Sequence, residues 1–417
     1  MTERARFDIY LNPPAAGVCK AAECVLEETD GRLTRFAFRY DPSWPALPAS
    51  FPLDPAQLPF GQAEITLDCL RGAPALIDDY LPDAWGRKVL ARFALAKNRK
   101  RLNANSAIEM LGLMGASRIG CLQLAPEGQA PDFARGYPLS GLARAEELAR
   151  RIDDDSFVPD NVDQFELAYL GNGGSGGVGG ARPKASFYDN NGCYLAKFNR
   201  DADRFNHARI ELACLRMAAA AGIDAAGGRV ESGINGREAL LLDRFDIGPD
   251  GSRNHLISVN GLLKDPNTQQ DPGQSFRYDD IHNLLSRYSV DPETDFEQLL
   301  KLMLFNRGIN NTDDHERNFS LIHQGEGYRL SPAYDLVPSL VLGEYHAAGF
   351  GYQPNPPEAA EVVRLGRVFG LSKTSVARCA EQVRAAIASW PDTAAGVGVS
   401  ELEMELVGRR MSRWQTR

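Results

Sequence analysis

The chain has 417 residues, 43% of them hydrophobic and 24% charged, which excludes a disordered protein and makes two or three domains the expectation. A net charge of −9 excludes a surface built chiefly for bulk nucleic acid. Seven scattered cysteines with no C-x-x-C pair exclude a disulfide framework or a cysteine zinc site and fit free thiols in a reducing cytosol. The N-terminus "MTERARFDIYLNPPAAG" lacks a signal-peptide apolar run, and no segment approaches the ~20 apolar residues of a membrane span. A cytoplasmic protein without a membrane partner is therefore expected.

In chain order, "FDIYL", "RLTRFAFRY" and "AEITLDCL" read as short strands between Pro-rich breaks such as "DPSWPALPASFPLDPAQLP". Helices are expected over "DAWGRKVLARFALAK" and "SAIEMLGLMG", followed by a strand in "RIGCLQLAPEG". Arg87, Lys88, Arg92, Lys97, Arg99, Lys100 and Arg101 cluster here, either as a solvated helix face or as a nucleic-acid contact. A boundary falls near residue 130, in the Pro/Gly-rich "APEGQAPDFARGYP".

The middle third alternates: helix "LARAEELARRI", a Gly-rich segment, strand "GCYLAKFN", then helix "HARIELACLRMAAAAG" stopped by Gly222. Strands "GRVES" and "EALLLDRFD" follow. After a polar loop, "LLKDPNTQQDPGQSF", the pattern is mostly helical: "YDDIHNLLSRY", "DFEQLLKLMLFNRGI", "PEAAEVVRLGRVFG" and "KTSVARCAEQVRAAIASW". Three divisions are expected, at 1–130, 131–246 and 247–417.

Four features carry chemistry. Seven of the ten residues Gly171 to Gly180 are glycine, which would let backbone amides turn toward a phosphate; a flexible linker has the same composition. Without G-K-[ST] the segment is no Walker loop. Lys197 sits in an apolar strand pattern, where a lysine needs a partner, and Glu211 on the next helix is a suitable counter-charge. "NNTDDHERNFS" contains D-x-x-x-x-N from Asp313 to Asn318, the spacing of a kinase catalytic loop. Asp335, in "LSPAYDLVPS", stands where a later metal-binding Asp would. Taken singly, 310–320 reads by default as a polar turn; "DDH" could also ligate a hydrolytic metal, but no H-E-x-x-H accompanies it. The order of glycines, Lys, Glu, D-x-x-x-x-N and late Asp is that of a protein kinase.

With these motifs the sequence resembles the HipA family of bacterial serine/threonine kinases, toxins of HipBA-type toxin–antitoxin pairs. "YLPDAWGRKVL" and "LGLMGASRIGCLQL" resemble its N-terminal segment; "GGARPKASF", "NTDDHERNFSLI" and "SPAYDLVPS" resemble its kinase core. The resemblance implies an α+β, protein-kinase-like two-lobe fold, with an extra β-rich N-terminal subdomain and a helical C-terminal lobe. It implies ATP and Mg²⁺ as cofactors, Asp313 as catalytic base, and Asn318 and Asp335 as metal ligands. Gly179, Gly180, Lys184, Lys197, Glu211, Asp243, Phe245 and His315 join Asn318 and Asp335 as the ATP-binding set, His315 ordering its loop. Partners implied are a protein with a Ser/Thr acceptor and a HipB-like helix-turn-helix antitoxin that carries the DNA contact.

Two departures stand out. The family's autophosphorylated loop serine corresponds in place to Gly177, so Ser175 is the remaining hydroxyl candidate. The metal Asp lies in "YDL" rather than D-F-G, which implies no Phe-Gly switch. The rival functions are a pseudokinase and a DNA-binding regulator, the latter because "VVRLGRVFGLSKTSVARCAEQVRAAI" has a helix-turn-helix outline.

Overall fold

The computed structural model describes residues 2–61, 63–70, 72–99, 101–114, 119–133, 136–154, 156–160, 167, 170, 182–265, 275–339 and 345–412. The chain divides into two compact units. The first comprises Met1–Asp201, Ser232–Gln270 and Ile322–Gly325; the second comprises Ala202–Glu231, Asp271–Leu321 and Glu326–Arg417.

The first unit opens with an antiparallel sheet of β1 (Thr2–Leu11), β2 (Cys19–Thr29), β3 (Arg32–Tyr40), β4 (Ile65–Asp68) and β5 (Leu122–Pro126), in the order β4-β3-β2-β1-β5. Phe7, Ile9, Leu11, Leu26, Phe36 and Phe38 are buried on its inner face. Strand β2 was not among the sequence expectations. Its signal was the turn rather than the strand: Asp30 and Gly31 both have positive φ, 52° and 73°, as a two-residue Asp-Gly hairpin requires.

Helix α1 (Ala75–Tyr80), also unexpected from the sequence, is followed by α2 (Ala84–Asn98) and α3 (Ala107–Leu113). Asp83 caps α2 by accepting from the Gly86 amide at 2.8 Å. Part of the basic cluster is engaged locally. Arg87 donates to the carbonyls of Pro82 and Ala104, Arg92 to that of Asp154, and Lys97 lies over the Phe93 ring.

The second sheet runs β6-β7-β8-β10-β9, with β6 (Tyr137–Pro138), β7 (Lys184–Tyr188), β8 (Cys193–Phe198), β9 (Gly228–Ile234) and β10 (Arg237–Asp243). Asn235 and Gly236, at φ 50° and 80°, close the β9–β10 hairpin. Helix α4 (Leu142–Asp153) buries Leu142, Ala145, Leu148, Ala149 and Ile152 in one cluster with Phe187, Tyr194, Phe198 and Leu241 of the sheet and Trp85, Val89 and Phe93 of α2. Strand β10 ends at Asp243, so the "RFD" expected as its continuation lies beyond the strand.

The second unit is helical. Helix α5 (His207–Ala220) ends as its glycine forecasts: Gly222 has φ 73°, and the Ile223 and Gly222 amides return to the carbonyls of Ala218 and Ala219. Helix α6 (Tyr278–Tyr288) leads to α7 (Pro292–Ile309), which starts with Asp291 as cap and Pro292 in its first turn and stops at Asn310, φ 59°. Leu299, Leu300, Leu302, Met303, Leu304, Phe305 and Ile309 of α7 are buried, with α5, α6 and α9 (Lys373–Ala388) packed against it. Helix α8 (Ala359–Leu365) is shorter than expected because Gly366 adopts φ 79°. Helices α10 (Trp390–Gly396) and α11 (Glu401–Ser412) complete the described chain.

Candidate active site

In the second unit α7 delivers the chain to the polar turn. Asn310 reverses it, and the Ser339 amide holds the Asn310 carbonyl at 2.9 Å. Asp313 then projects outward, its side chain 80% exposed. Surrounding protein, then the like charges of Asp335 and Asp314, raise its carboxyl above the ordinary range, with His315 opposing. His315 Nδ1 accepts from the Arg317 amide at 3.2 Å, so the imidazole proton sits on Nε2, 3.8 Å from Asp313 Oδ1. The ring thus orders the turn and faces the carboxylate.

Asn318 ends the 3-10 turn Glu316–Asn318, and its Nδ2 donates to the Asp313 carbonyl at 2.7 Å. That bond fixes the opposite face of the amide. Asn318 Oδ1 is buried and has no hydrogen-bond partner among the described residues. Such an orphaned acceptor costs ~1–3 kcal/mol, which a cation would relieve, and amide and carboxylate oxygens are the donors that suit Mg²⁺. Asp335, half-buried, follows strand Tyr328–Leu330 and adopts φ 57°, a left-handed conformation rare outside glycine. The orphaned Asn318 oxygen fits the metal expected of it. No group of three or more His, Cys, Asp or Glu with metal-holding geometry occurs among the described residues; Mg²⁺ needs only one or two carboxylates when phosphates and waters supply the rest.

Beneath the turn lies a layer that the sequence reading missed. Asp314, adjacent to the exposed Asp313, is fully buried together with the His346 side chain. Its oxygens accept from the Tyr278 hydroxyl at 2.8 Å and the Ala348 amide at 3.2 Å, and one lies 3.0 Å from His346 Nδ1. Tyr278 also accepts from Asn306, whose partner is Asn311. A buried Asn within the apolar "LMLFNRGI" of α7 was the available signal.

The first unit holds Lys184, Lys197, Asp243 and Phe245. Lys197 of β8 is buried and stands directly opposite Lys184 of β7 in the antiparallel ladder. Two like charges so placed would repel. Lys184 is instead committed to Asp83, its ammonium 2.7 Å from the carboxylate, both buried. Burial pushes the Asp83 carboxyl up, and the Lys184 ammonium opposes it. Lys184 therefore joins β7 to the cap of α2. Asp243 is exposed at the end of β10 and Phe245 is half-buried. Asp246 is buried in the fork of Arg244, at 2.7 and 2.6 Å, with the Gly120 amide at 2.7 Å. Burial alone would raise its carboxyl; the guanidinium and the amide hold it below the usual range. Glu211 belongs to the second unit, on the buried side of α5. Gly179, Gly180, Ser175 and Gly177 lie outside the described residues.

Of the pair proposed as a helix-turn-helix, α9 is built into the helical core, and α8 packs on α9, burying Val362. Helix α9 buries Val376, Cys379, Ala380, Val383, Ala386 and Ile387, and its exposed Arg378 and Arg384 pair with Glu297 and Glu381. Among the described residues no helix is long and apolar enough to cross a membrane.

Comparison with known proteins places these features in context. The family model of the HipA-like C-terminal domain matches residues 176–390, and that of the HipA N-terminal domain matches 22–125. The kinase-named protein Y4mE of Sinorhizobium fredii is 31% identical over 133 residues, 30% of this chain. The chain covers 31% of that relative's length. Among solved structures, HipA of Shewanella oneidensis MR-1, determined with HipB and operator DNA, superposes with a TM-score of 0.67 at 19% identity. The match covers 98% of this chain and 97% of that one. The Helicobacter pylori proinflammatory kinase CtkA matches at TM-score 0.43 and 13% identity, over 57% of this chain and 90% of that one. The chain accordingly shares the fold of the Shewanella HipA protein, an α+β fold with a β-rich N-terminal sheet.

Proposed function

This chain belongs to the HipA family, and from that premise we propose that it is an ATP-dependent protein kinase acting on serine or threonine hydroxyls. The observation that carries the reading is the orphaned, buried Asn318 Oδ1 on the turn that presents Asp313 to solvent. Asp313 orients the acceptor hydroxyl and takes its proton, while His315 holds the turn from the other side of the carboxylate. Lys197 meets the phosphates, and Asp243 and Phe245 belong to the nucleotide set. Asn318 and Asp335 would hold Mg²⁺, which when bound neutralises phosphate charge. Catalysis of this kind is mostly positioning and charge placement.

In this reading residues 1–130 are the family's N-terminal subdomain, 131–246 the nucleotide lobe and 247–417 the catalytic lobe. A HipB-like antitoxin supplies DNA contact, in keeping with the acidic charge of this chain and with the HipB–DNA assembly of the Shewanella protein. The acceptor is a protein, with a translation factor such as an aminoacyl-tRNA synthetase as first candidate. Ser175 is the candidate for self-modification.

Intact-mass spectrometry after incubation with Mg²⁺ and ATP, beside Asp313→Asn, tests the proposal. Phosphate gained by the wild type alone supports it, and fragment mapping reads whether Ser175 is the acceptor. If the wild type neither gains phosphate nor binds or turns over ATP beside candidate synthetases, the kinase assignment fails.

A further inference from the structure

The roles assigned above leave Tyr278, Asn306 and Asn311 unused, although all three are buried below the Asp313 turn. Resting on the kinase reading, we propose that they form a positioning relay that holds the Asp335 backbone in register with the Asp313 turn, with the Tyr278 hydroxyl at its centre. Valence settles the direction of each bond. The Asp314 carboxylate only accepts, so Tyr278 gives it the one hydroxyl proton across 2.8 Å. The phenol oxygen then accepts from Asn306 Nδ2 at 3.0 Å, which turns Asn306 Oδ1 toward Asn311 Nδ2 at 3.1 Å. That same amide reaches the Asp335 carbonyl at 3.4 Å. Neither asparagine can flip without losing two bonds.

Both ends of the relay are anchored. At one end Asp314 is also held by His346 and the Ala348 amide, which immobilises the residue next to Asp313. At the other, Asp335 occupies φ 57°, a conformation that persists in a non-glycine residue only where its surroundings hold it. The relay joins these two points through side chains of α6, α7 and the turn.

The test is the Mg²⁺ affinity of protein saturated with a non-hydrolysable ATP analogue, read by calorimetry, with analogue binding in EDTA and thermal melting as companions. Tyr278→Phe, which removes one hydroxyl, should weaken Mg²⁺ binding at least tenfold and leave metal-free analogue binding unchanged. Asn311→Ala cuts the other end, should give the same loss, and stands in for Tyr278→Phe if that variant does not fold. The double variant should lose no more than either single one, because one relay is broken once. A hydroxyl that only stabilises the fold would lower the melting temperature and leave Mg²⁺ affinity intact; that result, or additive losses, overturns the relay alone. Wild-type protein that binds no Mg²⁺–analogue complex overturns the kinase reading and the relay with it.

Discussion

Asp313 and Asp314 are chemically identical neighbours with opposite environments, one open to solvent and one sealed beneath Tyr278 and His346. For Asp313→Asn, which keeps shape and removes the proton acceptor, a fall in phosphoryl-transfer rate of at least ~10² is expected, measured by single-turnover kinetics. Because the Asp313 carboxyl lies above the ordinary 3.8, the acid limb of the pH–rate profile should also sit above that value. A limb at or below it would detach Asp313 from the proton step. The turn from Asp313 to Asn318 was legible because it is a local pattern, closed by the Asn318 side chain on the Asp313 carbonyl. Burial of Asp314 was not, since the residues that hold it come from positions 278, 346 and 348, remote in sequence.

At the scale of elements, the Asp83–Lys184 pair links α2 to β7 in a place that sequence reading assigned to the nucleotide. Removing one charge of a buried pair strands the other, at ~3–5 kcal/mol. Asp83→Asn, which keeps the helix cap, should lose about that much stability in denaturant titrations, and adding Lys184→Met should restore most of it. If the single variant is as stable as wild type, the pair is not holding the two elements.

A second joint is steric. Ser258, held by Asp79 at 2.7 and 2.6 Å, starts the helical turn Val259–Leu263, and a Cβ on Gly261 would come within 2.8 Å of the Ala75 Cβ on α1. Gly261→Ala should cost ~1–3 kcal/mol, read as a lower melting temperature. Amphipathic helices such as α4 and α6 were legible from their period, whereas β2, α1 and β7 were not. Their signals are a Gly turn, six residues of helix and a strand beginning at the lysine just past the glycines.

For the molecule as a whole, acid sensitivity follows from two histidines in the first unit. His255 and His323 flank Phe51, with ring centroids 5.4 and 3.9 Å away. Burial lowers both from 6.5 to about 4, His255 being pushed further by its fellow imidazole. In the unfolded chain each takes up a proton below about pH 6.5; in the folded chain each stays neutral until about pH 4. Their contribution is therefore complete above the first value and disappears as pH falls toward the second. Each pH unit in that interval is worth ~1.4 kcal/mol per histidine. Urea unfolding at pH 7.5 and pH 5 should show the loss, reduced in His323→Phe. Equal stability of the wild type at both pH values would count against it. Family membership and general architecture were legible across nearly the whole chain because several short motifs keep their order; side-chain environments such as this stack were not, since residues 51, 255 and 323 meet only in the fold.

The β9–β10 turn also gives the molecule a chemical clock. Asn-Gly is the dipeptide whose side-chain amide most readily cyclises onto the following backbone nitrogen, losing ammonia and opening to aspartate or isoaspartate. Here the Asn235 amide donates to the Ala143 carbonyl at 2.8 Å and to the buried Glu146 carboxylate at 2.6 Å. Ageing at this one position would exchange both donors for an anion facing an anion, and would turn a clasp between hairpin and helix into a repulsion.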